Sequence, residues 1–230
     1  FDELRRAFAS LHERPSRDGQ VFTGLNRFGA TRLAEIPGLS KRVVQRLETR
    51  ARLRQLTPKG YVQAADGTRK LLYVTARGEP VEAVLFPMAR RQSVCLSTQT
   101  GCRVGCAFCR TGSLPRRPRN LRAGEILDPL RDALKTLGEP RALGNVVFMG
   151  MGEPLYNYKQ VVRAIEILTH EAGLQMARDL VTVSTAGVAP LIPRLGHDTG
   201  VNLALSLVAA NDALRDRLVP INRRWPLATL

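Results

Sequence analysis

Three of the four cysteines in this 230-residue chain fall within eight residues, as Cys102, Cys106 and Cys109, on a segment punctuated by Gly101, Gly105 and Gly112. A C-x3-C-x2-C loop of this kind can turn three thiolates onto one inorganic centre, and the rest of the chain must then hold that loop in place. Zinc takes four protein ligands in a structural site, or three and a water in a catalytic one. The three histidines, His12, His170 and His197, are far from the loop in sequence, so none is an obvious fourth ligand. A cubane iron–sulfur cluster is usually held by four thiolates; with three, one iron stays open to a ligand that is not protein. Three buried cysteines clustered by chance are the remaining alternative, and spacing with context, not the count, has to separate these.

The charge balance narrows the partners. Thirty-five Lys and Arg against 20 Asp and Glu give a net charge of +15, and the isoelectric point is near 10.9. An excess of this size favours a polyanion, nucleic acid first. Arg103, Arg110, Arg116, Arg117, Arg119 and Arg122 follow one another around the cysteine loop with no acidic residue among them, which suits contact with a phosphate backbone. An arginine-rich genome is the bland alternative. No apolar run approaches the roughly 18 residues of a membrane span, and no signal peptide is recognisable. Four cysteines do not make a disulfide framework, so a reducing cytoplasm is the expected setting. The chain starts at Phe1 and is expected to be a fragment.

Pattern divides the chain into three parts: a helical accessory unit over 1–58, a β-hairpin and strand extension over 59–90, and a strand–helix alternation over 91–230. Apolar residues at Phe1, Leu4, Phe8 and Leu11 follow a helical period. Ser40, after the turn Ile36-Pro37-Gly38-Leu39, caps a helix through Val43, Val44 and Leu47. This stretch faintly resembles a phosphate-gripping helical hairpin, with a plain packing unit as the alternative. Ala65-Asp66-Gly67-Thr68 reads as a two-residue hairpin turn. The helix over Leu121–Leu137 contains Pro129, which predicts a kink or a restart capped by Asp128. Asn157 with Gln160 reads as a capping pair, ahead of a face of Val161, Val162, Ile165 and Leu168. His197 is expected in a loop away from any site, and Trp225 in packing. Repeated strand–helix units imply a parallel sheet with its chemistry at the C-terminal strand ends, where Gly150–Pro154, Ser184–Gly187 and Ser206–Asn211 fall.

These segments, in this order, resemble a family. Cys95 running into the cysteine loop, Arg119-Asn120-Leu121 with Glu125-Ile126, Met149-Gly-Met-Gly-Glu-Pro-Leu155, Val183-Ser-Thr-Ala-Gly187 and Val219-Pro-Ile-Asn222 are similar to the radical SAM RNA methyltransferases, which methylate carbon 2 of adenosine in rRNA and tRNA. The resemblance is strong over residues 60–230 and weak before them. It implies an α/β fold, a partial (β/α)6 barrel lacking its C-terminal part, with a small N-terminal helical domain and a β-hairpin. It further implies that Cys102, Cys106 and Cys109 bind a [4Fe-4S] cluster. Gly152 and Glu153 would hold the amino group of S-adenosylmethionine, with Ser184, Ser206, Leu207 and Val208 against the rest of it. Glu82 matches the proposed proton acceptor. Cys95 matches the thiol that resolves a covalent RNA adduct through a transient disulfide. One S-adenosylmethionine would methylate a downstream cysteine, and a second would yield the 5′-deoxyadenosyl radical that activates it. Implied partners are rRNA or tRNA and an electron donor such as flavodoxin or ferredoxin, with no membrane and a monomeric state.

The chain also departs from the family pattern. Val208 stands where the family usually has histidine, and the segment between Cys109 and Arg119 is one residue longer. No cysteine follows Cys109, so the methyl carrier is missing, and the polypeptide as it stands is expected to bind cluster and S-adenosylmethionine poorly and not to methylate RNA. Rival expectations are a carbon-8 methylating enzyme of the Cfr type, another radical SAM enzyme, and a basic RNA-binding paralogue without catalysis.

Overall fold

The computed structural model describes residues 2–10, 16–49, 51–114 and 117–230, so Phe1, Leu11, His12 and Arg116 lie outside the described residues. Helices α1 (Asp2–Ser10), α2 (Ser16–Asn26) and α3 (Lys41–Glu48) come first. They close over a small core of their own, built on Phe8, Val21, Leu33, Val43 and Leu47. The Ser40 hydroxyl accepts from the Val43 N–H at 3.4 Å, the expected cap. Seven strands follow in one sheet whose spatial order is the chain order: β1 (Thr57–Gln63), β2 (Arg69–Val74), β3 (Pro80–Met88), β4 (Arg91–Cys95), β5 (Leu143–Phe148), β6 (Val181–Thr185) and β7 (Asn202–Leu205). The pairs from β1 to β4 are antiparallel. Those from β4 to β7 are parallel, with α4 (Ala123–Leu137), α5 (Tyr158–Thr169) and α6 (Ile192–Thr199) as crossovers and α7 (Asp212–Leu218) after β7. This is the open β/α barrel expected, and the hairpin is continuous with its sheet.

One face of the sheet packs on the helices. Val94, Val146, Phe148, Val181 and Val183 are buried there with Ile126, Leu130, Val161 and Ile165. Because side chains alternate along a strand, the neighbouring positions Cys95, Val147 and Ser184 fall on the other, concave face, and all three are only half-buried.

Five local expectations need correction. The hairpin loop has three residues, 65–67: the Ala64 N–H donates to the Thr68 carbonyl and the Gly67 N–H to that of Ala64, with Gly67 at φ +86°. Helix α4 runs unbroken through Pro129, and Asp128 caps nothing within it. Its carboxylate instead accepts from the N–H groups of Gln55 and Leu56 at 2.7 and 2.8 Å and from Arg131 at 2.8 Å. The Asn157 side chain donates to the carbonyls of Thr98 and Leu121, both at 2.8 Å, while Gln160 accepts from the N–H of Ala123 and so caps α4, not α5. The buried face of α5 is Val161, Ala164, Ile165 and Leu168, since 3.6 residues per turn carry Val162 off it. His197 lies in α6, exposed, with Asp198 at 3.1 Å. Trp225 packs at the edge of the main core with Arg224 over its ring.

The helical unit is joined to the barrel by polar bonds. Arg131 donates to Asn26 and to the Leu53 carbonyl, and Thr23 donates to the Ala172 carbonyl at 2.7 Å. Rings of Phe22 and His170 meet at 4.9 Å.

Candidate active site

The loop after β4 forms because its backbone is tied on both sides. Thr98 and Gln99 donate to the Met151 carbonyl, Thr100 donates to that of Arg119, and Ala107 donates to that of Leu218 at the end of α7. Gly105 takes φ +70° at the turn between the first two cysteines, a conformation glycine adopts freely. Cys102, Cys106 and Cys109 are thereby turned onto one cavity of about 310 Å³ at the C-terminal ends of the parallel strands. Gly152, Glu153, Ser184, Ser206 and Val208 line the same cavity. Burial pushes the Cys102 thiol up to about 11 and also raises Cys106.

Glu153 is 3% exposed. Its carboxylate accepts from the Leu155 N–H at 3.0 Å, the Thr185 hydroxyl at 2.8 Å and the Ala186 N–H at 2.7 Å. All three donors are neutral. Burial raises its pKa, and these bonds pull it back. Thr185 in turn accepts from the N–H groups of Gly187 and Val188, so one hydroxyl organises the whole turn after β6. Gly152 has φ +104°, and a Cβ there would meet the Gln99 Cβ at 2.7 Å. Its lack of a side chain therefore lets the loop pack on Gln99, whose amide oxygen accepts from the Glu153 N–H at 2.9 Å.

Ser184 and Ser206 face each other at 3.3 Å between hydroxyls. Val208 has φ +65°, which for a β-branched residue is a strained backbone costing on the order of 1–3 kcal/mol. The Leu207 side chain is outside the cavity lining; its carbonyl accepts from Arg215. Glu82 and Cys95 also lie outside it, on the concave face. Cys95 pairs with Val84 across β3–β4, and Glu82 stands two residues from Val84 on the same side. The Ser97 hydroxyl donates to the Glu82 carbonyl, which sets this carboxylate at the cavity end of the sheet. It is half-exposed, with Lys70 at 3.4 Å. Burial raises the pKa of Cys95.

Sequence reasoning missed Arg215 and Asn222 as parts of this site. Arg215, fully buried, donates to the carbonyls of Leu207 at 2.9 Å and Ala186 at 2.7 Å and to the Asn222 amide oxygen at 2.6 Å. In sequence it sits in the charged run Asp212–Arg217, which reads as a solvated helix face; no periodicity singles it out.

Outside the cysteine loop, two adjoining hollows of about 700 and 560 Å³ share Arg77, Arg119 and Asn120. Arg52, Arg54, Arg103, Arg117, Arg122 and Arg224 complete an arginine-walled groove. Arg119 is committed to Glu79 and Glu125 at 3.0 and 2.8 Å.

The donors present fit a cluster with an amino-acid-derived ligand. No three His, Cys, Asp or Glu side chains among the described residues gather closely enough to hold one metal ion, whereas a cubane takes each thiolate at a separate iron. Among the described residues Glu153 is answered by neutral donors alone, an arrangement that a ligand ammonium would complete. Fold and cavity together define a barrel protein that carries its reactive group at the strand ends, among soft ligands. The chain belongs to the Radical SAM superfamily, which residues 96–230 match; its members use a [4Fe-4S] cluster and S-adenosylmethionine. It is 43% identical over 230 residues to the dual-specificity RNA methyltransferase RlmN of Geobacter sulfurreducens. To that of Anaeromyxobacter dehalogenans it is 44% identical over 235 residues. Both matches cover the whole of this chain and 62% and 63% of the relatives, so the chain spans less than two thirds of their length. Among solved structures it is similar to a radical SAM methyltransferase from Sphaerobacter thermophilus, with a TM-score of 0.94 and 40% identity over all of this chain and 68% of that one.

Proposed function

We propose that this chain is the cofactor-binding part of an RNA methyltransferase that methylates carbon 2 of an adenosine in rRNA, tRNA or both. The observation that carries the reading is the meeting of three thiols and a carboxylate in one cavity whose described lining holds no Lys, Arg or His, in a chain 43% identical to a dual-specificity RNA methyltransferase. Cys102, Cys106 and Cys109 would hold the cluster. Glu153 would take the ligand's ammonium, and Gly152, Ser184, Ser206 and Val208 would line its other sides. When bound, the cluster and S-adenosylmethionine supply one-electron cleavage of the sulfonium.

Glu82, at the cavity end of the sheet with Lys70 at 3.4 Å, would accept the ring proton. Cys95, the last residue of β4, from which the chain runs into the cysteine loop, would resolve the RNA adduct. The helical unit over 1–58 and the hairpin extension over 59–90 would help hold RNA, and the arginine groove would take its phosphates. An acidic electron donor of the flavodoxin or ferredoxin kind, a cytoplasmic setting and a monomeric state complete the reading; among the described residues no helix is long and apolar enough to cross a membrane.

The decisive test is anaerobic reconstitution followed by electron paramagnetic resonance of the reduced protein. A cubane signal that changes on adding S-adenosylmethionine and is lost in Cys106→Ala supports the reading; a protein that takes up no iron sinks it. For the RNA part, Arg77→Glu and Arg117→Glu should each weaken binding of an rRNA or tRNA fragment regardless of sequence and lower the salt slope by about 1.

A further inference from the structure

We infer that Arg215 is the positioning residue of this site: its guanidinium holds the S-adenosylmethionine-facing wall in shape. The inference rests on the cofactor reading above. Three segments that the chain delivers separately meet at this one side chain. Nη2 donates to the Ala186 carbonyl after β6 and, at 3.4 Å, to the Ser206 carbonyl after β7; Nε donates to Leu207. Nη1 donates to Asn222, whose own amide donates to Asp212 at 2.8 Å and Asp216 at 2.7 Å. The fork is therefore anchored from behind by two carboxylates acting through a neutral amide. A planar guanidinium can make all these bonds at fixed angles; an ammonium cannot.

The wall needs such a clamp. From Leu205 to Ala209 the backbone is a succession of tight turns, with Leu207 N–H on the Leu205 carbonyl and Ala209 N–H on that of Leu207. Val208 sits within them at φ +65°, 46% exposed and lining the cavity. Strained backbone at a ligand wall persists only where surrounding bonds over-determine it, and here Arg215 adds side-chain bonds to the Leu207 and Ser206 carbonyls on top of the backbone ones. Ala186, the other carbonyl it holds, presents its N–H to Glu153, so the same side chain steadies the carboxylate that would take the ligand's ammonium.

The clamp also reaches toward the cysteines: helix α7, which carries Arg215, ends on the cysteine loop, where its Leu218 carbonyl accepts from the Ala107 N–H at 2.9 Å.

Two variants of the reconstituted chain test the clamp. Arg215→Lys keeps a cation and loses the fork: S-adenosylmethionine affinity by calorimetry should fall about tenfold or more, while cluster content by iron analysis stays at the wild-type value. Arg215→Gln also loses the fork, so affinity should fall as far, again with cluster content kept. Melting curves report whether each variant is folded; if Arg215→Gln is not, the split between affinity and cluster content in Arg215→Lys decides alone. Wild-type affinity in a folded Arg215→Lys overturns the inference. So does a drop in affinity that comes with an equal loss of cluster content, because a merely structural role would produce that. A wild-type chain that holds no cluster overturns the cofactor reading, and the inference falls with it.

Discussion

Two buried carboxylates in this molecule do opposite things with the same chemistry. Asp128, at the junction of the helical unit with the barrel, accepts from two backbone N–H groups and from Arg131 at 2.8 Å. Glu153, at the strand ends, accepts from two backbone N–H groups and a hydroxyl, and no cation pairs with it among the described residues. Burial raises the pKa of both. The first is closed, since its charge is spent on holding two parts of the chain together. The second is open, with its charge directed at a cavity that three thiols share. A buried charge answered only by neutral donors marks a place built for a ligand, whereas one answered by a buried cation marks a joint.

The contrast breaks most visibly at the joint. Asp128→Asn leaves Arg131 without its counter-charge, and removing one partner of a buried pair costs about 3–5 kcal/mol. Denaturant unfolding should show that loss while a variant kept folded retains its change of cluster signal on adding S-adenosylmethionine.

Glu153→Gln is the converse. It turns an amide donor toward N–H groups that need acceptors, costing about 1–3 kcal/mol, and it should abolish the response to S-adenosylmethionine while iron content persists. If both variants lose ligand response equally, the distinction between joint and site is wrong.

Gly152→Ala probes the support of the site and not its charge. The new Cβ would lie 2.7 Å from the Gln99 Cβ at φ +104°, and strain of about 1–3 kcal/mol should appear in melting curves, with weaker S-adenosylmethionine binding as Glu153 shifts.

The smallest effect belongs to the outer rim of the joint. The Lys135 ammonium at 2.9 Å, together with the Thr31 N–H, holds the Glu35 carboxyl down at about 2 from the usual 4.5. A depressed acid contributes stability that is present above its unfolded pKa and lost as pH falls through the folded one. The contact should therefore weaken between about pH 4.5 and pH 2. Lys135 is half-exposed, so the contribution is below about 1 kcal/mol; comparing the acid melting of Glu35→Gln with that of the wild type measures it.

Much of this was legible in the linear chain. The C-x3-C-x2-C spacing, the strand–helix alternation after residue 90 and the glycine-bearing turns at strand ends are local patterns. They named most of the residues that now line the cavity. The misreadings were local too. Asn157 and Asp128 have the residue types of helix caps, and each gave its side chain instead to backbone more than thirty residues away.

Sequence by itself determined where the three clustered cysteines stand, that a parallel sheet follows them, and that the chain is strongly basic, because spacing, periodicity and charge need no partner. Tertiary structure alone decided which charges matter. Arg117 and Arg215 are both arginines among arginines in the sequence, yet one is exposed on a groove and the other fully buried behind the site. Burial is set by what packs against a residue from elsewhere in the chain: the turns after β6 and β7 and the segment at Asn222 close over Arg215. No window of sequence around it contains all of them.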